Sequence, residues 1–243
     1  MIKNNSNKES GYFSEWKNFG FEAEEKLVGP DKYNLFCDLD GVLVSFLEPV
    51  QERMNNYLKR YEDELYRKRM LVERTKMYKI VLNAVDQLGG DLENGVIPLV
   101  TNDDLWVKGT GTGKVERKKV RALMYVLVQN SEDFWTNLPW TSDGKQLWDY
   151  IKKYNPTILS APMRKNSEVG KINWCRKNLE IGPDQIILTQ DKIKYAKTAL
   201  NGKKNLLIDD LIMFIGPFRD AGGEAIWHKN TPETIVKLKE RGF

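Results

Sequence analysis

Apolar positions change their period several times along the chain. At Tyr33-Asn34-Leu35-Phe36-Cys37 a short, nearly continuous apolar run stops at Asp38-Leu39-Asp40-Gly41, as expected for a buried strand that feeds a loop. From about Glu48 onward Met54, Leu58, Tyr61 and Leu65 recur at spacings of four, three and four, which predicts one apolar stripe on a long, heavily charged helix. A second helix is predicted over 115–129, carrying Val120, Leu123, Met124, Leu127 and Val128. After Pro139 helix and strand alternate. Helices are expected over 145–154 and 169–179, and strands over 157–159, 185–188, 205–208 and 224–227.

Such βα alternation implies an α/β fold: a Rossmann-like parallel sheet flanked by helices on both faces. The division expected is an N-terminal extension over 1–30, a core over 31–46 and 132–243, and a mostly helical cap over 47–131, inserted after the first strand. The extension is polar with scattered aromatics, Tyr12, Phe13, Trp16, Phe19 and Phe21, and is expected to lie on the surface; Gly29-Pro30 closes it. Ligands of such sheets bind beyond the carboxyl ends of the strands, and there Asp38, Ser160, Lys192 and Asp209 fall.

Composition narrows the chemistry. The 243 residues are 41% hydrophobic and 11% aromatic, enough for a buried core. A net charge of +4, from 38 basic and 34 acidic residues, is too mild to indicate a nucleic-acid binder but is compatible with anionic substrates. Cys37 and Cys175 are too few for a disulfide framework and suit a reducing, cytoplasmic setting. Residues 1–10 offer Asn, Lys and Ser where a signal peptide needs an apolar stretch, and no run of eighteen apolar residues exists, so no membrane partner is expected. The one histidine, His228, leaves multi-histidine zinc sites and Ser-His-Asp triads without material. Carboxylates and lysines must carry any catalysis.

Taken alone, Asp38-Leu39-Asp40-Gly41 is open to several readings, a calcium loop and a plain Asp-Gly turn among them. Order and context change this. Residues 35–43 resemble the first signature of haloacid dehalogenase-superfamily phosphatases, Thr157-Ile158-Leu159-Ser160 the second, Thr189-Gln190-Asp191-Lys192 the third and Leu206-Leu207-Ile208-Asp209-Asp210 the fourth. The resemblance implies a phosphohydrolase in which Asp38 attacks phosphorus and carries the phosphoryl group, while Asp40 serves as general acid and then general base. It further implies Mg²⁺ held by Asp38, the backbone carbonyl of Asp40, Asp209 and Asp210, oxygen ligands that suit a hard cation. Ser160 and Lys192 would meet the non-bridging oxygens, with Lys194 and Lys197 as competitors for the lysine's role.

Within that superfamily the texture is most similar to the 5'(3')-deoxyribonucleotidase group and related phage and bacterial proteins, over 134–139, 160–164, 170–174 and 187–192. The substrate implied is a small phosphate ester, a nucleoside or deoxynucleoside monophosphate. Ala161, Gln190 and Leu211 depart from the group's pattern and bear on that assignment. Phe46, Phe134, Trp135 and Trp140 are candidates for stacking on a base, against the alternative of core packing between cap and sheet; Arg164 and Lys165 are candidates for neutralising phosphate, against simple solvation.

Two further features read blandly. Gly109-Thr110-Gly111-Thr112-Gly113-Lys114 is one residue short of a phosphate loop, with Val115 where Ser or Thr is required, and is expected to be a cap loop. The cluster Lys114, Arg117, Lys118, Lys119 and Arg121 is expected to be a solvated helix face, with nucleic acid as the alternative partner. The rival functions are a phosphatase for nucleic-acid 3' ends or for another small phosphate ester, and a non-catalytic binding protein on the same fold. Oligomeric state is not written in this pattern.

Overall fold

The computed structural model describes residues 29–73, 75–105, 117–163, 165–197 and 201–243. Five strands, β1 (Tyr33–Cys37), β2 (Thr157–Ser160), β3 (Ile186–Leu188), β4 (Lys204–Asp209) and β5 (Glu224–Trp227), form one sheet in the order β3-β2-β1-β4-β5. Every neighbouring pair is parallel. The expected α/β architecture is therefore the observed one. A parallel sheet is covered on both faces, so its strands need apolar side chains on both sides. Alternate residues separate accordingly: Leu35, Cys37, Ile158, Leu206, Ile208 and Ile226 join one buried cluster, Phe36, Leu159, Leu207 and Ala225 the other.

Helices close both faces. Into the first cluster go Leu147, Trp148 and Ile151 of α7 (Gly144–Ile151), Trp174, Cys175 and Leu179 of α8 (Lys165–Leu179) and Leu238 of α10 (Thr231–Lys239). The second cluster is covered by Ile215 and Phe218 of α9 (Ile212–Asp220). The short α1 (Gly29–Lys32) leads into β1. Residues 1–28, and with them nearly all of the expected extension, lie outside the described residues.

Between β1 and β2 the chain forms α2 (Leu47–Leu58), α3 (Glu64–Glu73), α4 (Lys76–Gln87), α5 (Lys118–Val128) and α6 (Glu132–Thr136) before α7. Val50, Met54 and Leu58 of α2, Val81 and Val85 of α4, and Val120, Leu123 and Met124 of α5 are buried in a core continuous with that of the sheet. Among the described residues no helix is long and apolar enough to cross a membrane.

Several local expectations need correction. The stripe of Met54, Leu58 and Tyr61 is buried, but Leu65 is 78% exposed. After α2 the chain tightens into a 3-10 turn over Lys59–Glu62, and Asp63 is extended at ψ 123°, so α3 restarts with a different phase. The helix of 145–154 ends at Ile151 and continues as a 3-10 turn, Lys152–Tyr154. The helix placed at 169–179 begins four residues earlier, at Lys165, because the polar turn Lys165-Asn166-Ser167-Glu168 hides its start from any apolar periodicity. Gln185 belongs to a 3-10 turn, Pro183–Gln185, before β3. The start of the helix expected over 115–129 and the glycine-rich loop fall in 106–116, outside the described residues; α5 is described from Lys118.

Candidate active site

The register of the sheet creates the site. Cys37 lies opposite Ile208 in β4 and Ile158 in β2, so the residues that follow, Asp38, Asp209 and the end of β2 at Ser160, emerge together at the carboxyl ends of the three central strands. The Asp38 amide donates to the Ile208 carbonyl at 2.9 Å, and the His228 amide to that of Asp209 at 2.9 Å. Beyond Asp38 the backbone turns tightly. Leu43 and Val44 donate to the Leu39 carbonyl at 2.9 and 2.8 Å, and Gly41 donates to Val44 at 2.8 Å. Gly41 has φ of 75°, and a Cβ there would stand 2.3 Å from Asp210 Oδ2. Only glycine allows this turn to lie against that carboxylate.

Ser45 donates its amide to Pro139 at 2.9 Å and Thr141 donates to Leu43 at 2.9 Å. The two crossings between the sheet and the helices that interrupt it are thus tied side by side above the site.

Two buried lysines order the carboxylates. Lys192, at the start of a 3-10 turn after β3, is 1% exposed; its Nζ lies 2.9 Å from Asp38 Oδ2 and 2.6 Å from Asp209 Oδ2. Asp209 Oδ1 accepts from the Leu211 amide at 2.8 Å. Phe214 lies under the Lys192 ammonium, 4.7 Å from ring centre to nitrogen, closing its apolar side. Lys194, the competitor, is exposed and lies over Tyr195; Lys197 is also exposed.

The second lysine, Lys171 on α8, had not been singled out in the sequence. It is 1% exposed, and its Nζ donates to Asp40 Oδ2 at 2.6 Å, Ser160 Oγ at 2.9 Å and the Ala161 carbonyl at 3.1 Å. An ammonium has three N–H groups, and all three are used. A signal for it exists: Ser167, Lys171, Trp174 and Cys175 follow one another at helical spacing and are all buried. A lysine on the apolar face of a helix is rarely left without a partner.

Three carboxylate oxygens, Asp38 Oδ1, Asp40 Oδ1 and Asp210 Oδ1, are buried without a partner among the described residues. Carboxylate oxygens of Asp38, Asp209 and Asp210 all lie within 4.8 Å of one another. Among the described residues, four carboxylates formally face two ammonium groups, two positive charges short of neutrality. Burial raises the pKa of Asp209, Asp38 raises it further, and Lys192 opposes both. Burial likewise holds Asp210 well above the usual carboxylate range, with Asp38 and Asp209 adding to it. Asp40 is raised by burial against the pull of Lys171. Burial works against the charge on Lys192, but Asp38 and Asp209 outweigh it and strengthen its hold on the proton. Oxygen-only donors, orphaned carboxylate oxygens and a deficit of positive charge suit a hard divalent cation.

The expected substrate contacts fare differently. Trp135 is 1% exposed, its indole N–H donates to the Val128 carbonyl at 2.9 Å, Phe46 stacks on it at 5.2 Å and 16°, and the Lys171 ammonium sits 5.3 Å from its centre. It offers no free face to a base, and here core packing prevails. Phe46 is half-buried beside it, Phe134 is buried, and Trp140 packs edge-on against Trp174 at 4.8 Å. Arg164 lies outside the described residues; Lys165 is exposed. In the basic cluster Arg117 pairs with Asp104 at 3.0 Å and Lys119 with Asp86 at 3.4 Å, while Lys114 lies outside the described residues. His228 is buried, with Nδ1 2.9 Å from Thr234 Oγ1.

A groove of about 620 Å³ runs between α2 and α6, lined by Arg53, Tyr57, Arg60 and Phe134 among others, and includes none of the four carboxylates. Arg53 lies over Phe134 and Arg60 over Tyr57, each at 5.3 Å.

Neither a protein-family model nor a curated protein sequence matches the chain. Among solved structures it is similar to a hydrolase from Streptococcus pneumoniae TIGR4, with 12% sequence identity and a TM-score of 0.45 over 86% of this chain and 99% of that one.

Proposed function

We propose that the protein is a Mg²⁺-dependent phosphomonoester hydrolase that works through an aspartyl-phosphate on Asp38, with a nucleoside or deoxynucleoside monophosphate as substrate. The observation that carries this reading is a shared arrangement: Asp38 and Asp40 each give Oδ2 to a buried lysine and keep Oδ1 buried and unpartnered. A structural ion pair has no need of two such free oxygens two residues apart.

Lys192 fixes the Asp38 carboxylate, whose free Oδ1 attacks phosphorus. The bond to the leaving oxygen breaks, and that oxygen takes the proton of Asp40. Asp40, now a carboxylate, removes a proton from water, whose oxygen attacks the phosphoryl group and returns the bonding pair to Asp38. Ser160 accepts from Lys171, so its own hydroxyl proton remains for a non-bridging oxygen, as does the third N–H of Lys192. Asp38, Asp209 and Asp210, with the Asp40 carbonyl, would hold Mg²⁺, which when bound neutralises phosphoryl charge beside these carboxylates. The helices between β1 and β2 act as a cap that excludes water and meets the leaving group.

Phosphate release from a panel of nucleoside monophosphates and sugar phosphates, in Mg²⁺ or EDTA, tests this. Turnover with a nucleotide in Mg²⁺ alone is expected; a preference for sugar phosphates overturns the substrate assignment, and no turnover with any ester overturns the reading. One second reading, a phosphatase for nucleic-acid ends, draws on the guanidinium and aromatic groups of the groove, Arg53, Arg60, Tyr57 and Phe134, which share it with the acidic Glu52 and Asp133. That reading requires a phosphorylated oligonucleotide to outperform the mononucleotide, with an advantage that salt removes.

A further inference from the structure

Among the described residues, Lys171 is the one buried cation of the site that phosphoryl transfer at Asp38 leaves without a task. It reaches the site from α8, a different element from Lys192, and contacts Asp40 rather than Asp38. We infer that Lys171 is a positioning residue for proton transfer: it aims the free Oδ1 of Asp40 at the leaving oxygen and stabilises the charge that Asp40 acquires as its proton departs. This inference rests on the phosphohydrolase reading above.

The geometry supports it in three ways. The ammonium has spent all its N–H groups on Asp40, Ser160 and Ala161, so it is a fixed charge with a fixed direction. It takes Oδ2 of Asp40 and leaves Oδ1, which is buried and unpartnered among the described residues, as the atom for proton transfer. Its mount is rigid: Trp135 lies beneath it, held by its bond to Val128 and by the stacked Phe46.

In the first step Asp38 Oδ1 forms a bond to phosphorus, the phosphorus–oxygen bond to the leaving group breaks, and its electron pair is protonated from Asp40. Negative charge thereby grows on Asp40 beside Lys171, an interaction stronger in the transition state than before it. In the second step Asp40 regains a proton from water. Removing Lys171 therefore hurts most where the leaving oxygen needs its proton. Esters of acidic phenols leave as stable anions and need it little.

The test is first-turnover alcohol release, by rapid acid quench in Mg²⁺, from p-nitrophenyl phosphate and from a nucleoside monophosphate, in wild type and Lys171→Met. The expected result is a loss of about 100-fold or more with the nucleotide and of less than about 10-fold with the aryl ester. Equal losses on both esters overturn the inference. Lys171→Gln, which keeps N–H donors without the charge, gives the same comparison if the methionine variant does not fold. If wild type releases neither product, the phosphohydrolase reading itself has failed.

Discussion

Asp38 and Asp209 share one ammonium group: Lys192 Nζ stands 2.9 Å from Oδ2 of the first and 2.6 Å from Oδ2 of the second. The pairing follows from the register of β1 on β4, which sets Cys37 against Ile208. One lysine cannot compensate these two carboxylates and Asp210 as well, so the site is destabilised wherever all three are ionised.

That strain predicts how a divalent cation acts on stability. Burial raises the folded-state pKa of Asp209 and Asp210, so stability falls as pH rises from their unfolded values, about 4, through the raised ones. In the proposed mechanism Mg²⁺ competes with those protons. Its stabilisation should therefore be larger at pH 8 than at pH 5, on the order of 2–3 kcal/mol at a hundredfold excess over Kd. Thermal melts with Mg²⁺ or EDTA at both pH values measure this, and Asp209→Asn should remove most of the shift. A shift of equal size at both pH values would contradict it.

Lys192→Met should leave Asp38 and Asp209 facing one another without the ammonium they share and remove a donor to the phosphoryl oxygens. A loss of about 10²- to 10³-fold in kcat is expected. Lys194→Met, at an exposed position, should change kcat less than about twofold. Steady-state kinetics of the two variants distinguish these outcomes.

Gly41→Ala should cost about 1–2 kcal/mol from its φ of 75° and push Asp210 aside, since the added carbon would meet Oδ2 at 2.3 Å. Weaker Mg²⁺ binding, seen by calorimetry, should accompany the lower melting temperature. Loss of stability with unchanged binding would show that the turn does not position Asp210.

His228 gives a pH dependence of the opposite sign. Burial lowers its folded-state pKa below the unfolded value of about 6.5, so the unfolded chain binds the extra proton and stability is lost as pH falls below about 6.5. Between pH 7.5 and 5 the wild type should lose more stability than His228→Asn, by chemical denaturation. Parallel slopes would contradict this.

The parallel sheet was legible because apolar runs such as Leu35-Phe36-Cys37 and Leu206-Leu207-Ile208 end on carboxylates, a pattern that local sequence carries by itself. Asp38, Ser160, Lys192 and Asp209 fall at or beyond the ends of such runs, and the resemblance to four phosphatase signatures named them together with Asp40 and Asp210. Lys171 was missed because the low overall amphipathicity of α8 disguises its inner face, where Gly170, Lys171, Trp174 and Cys175 are buried. The fate of Trp135 was not legible either, since its neighbours Phe46 and Lys171 come from distant parts of the chain. Leu65 departed from its stripe because the 3-10 turn before it shifts the helical phase, a tertiary choice that spacing alone does not encode.

In the proposed mechanism Asp38 carries the phosphoryl group. Acid-quenching the protein during turnover of a nucleoside monophosphate in Mg²⁺ and measuring its intact and peptide masses tests this directly. One added phosphoryl group is expected on the peptide containing Asp38, absent in EDTA and in Asp38→Asn. Steady release of phosphate by Asp38→Asn, or a phosphoryl group on a different residue, would contradict it.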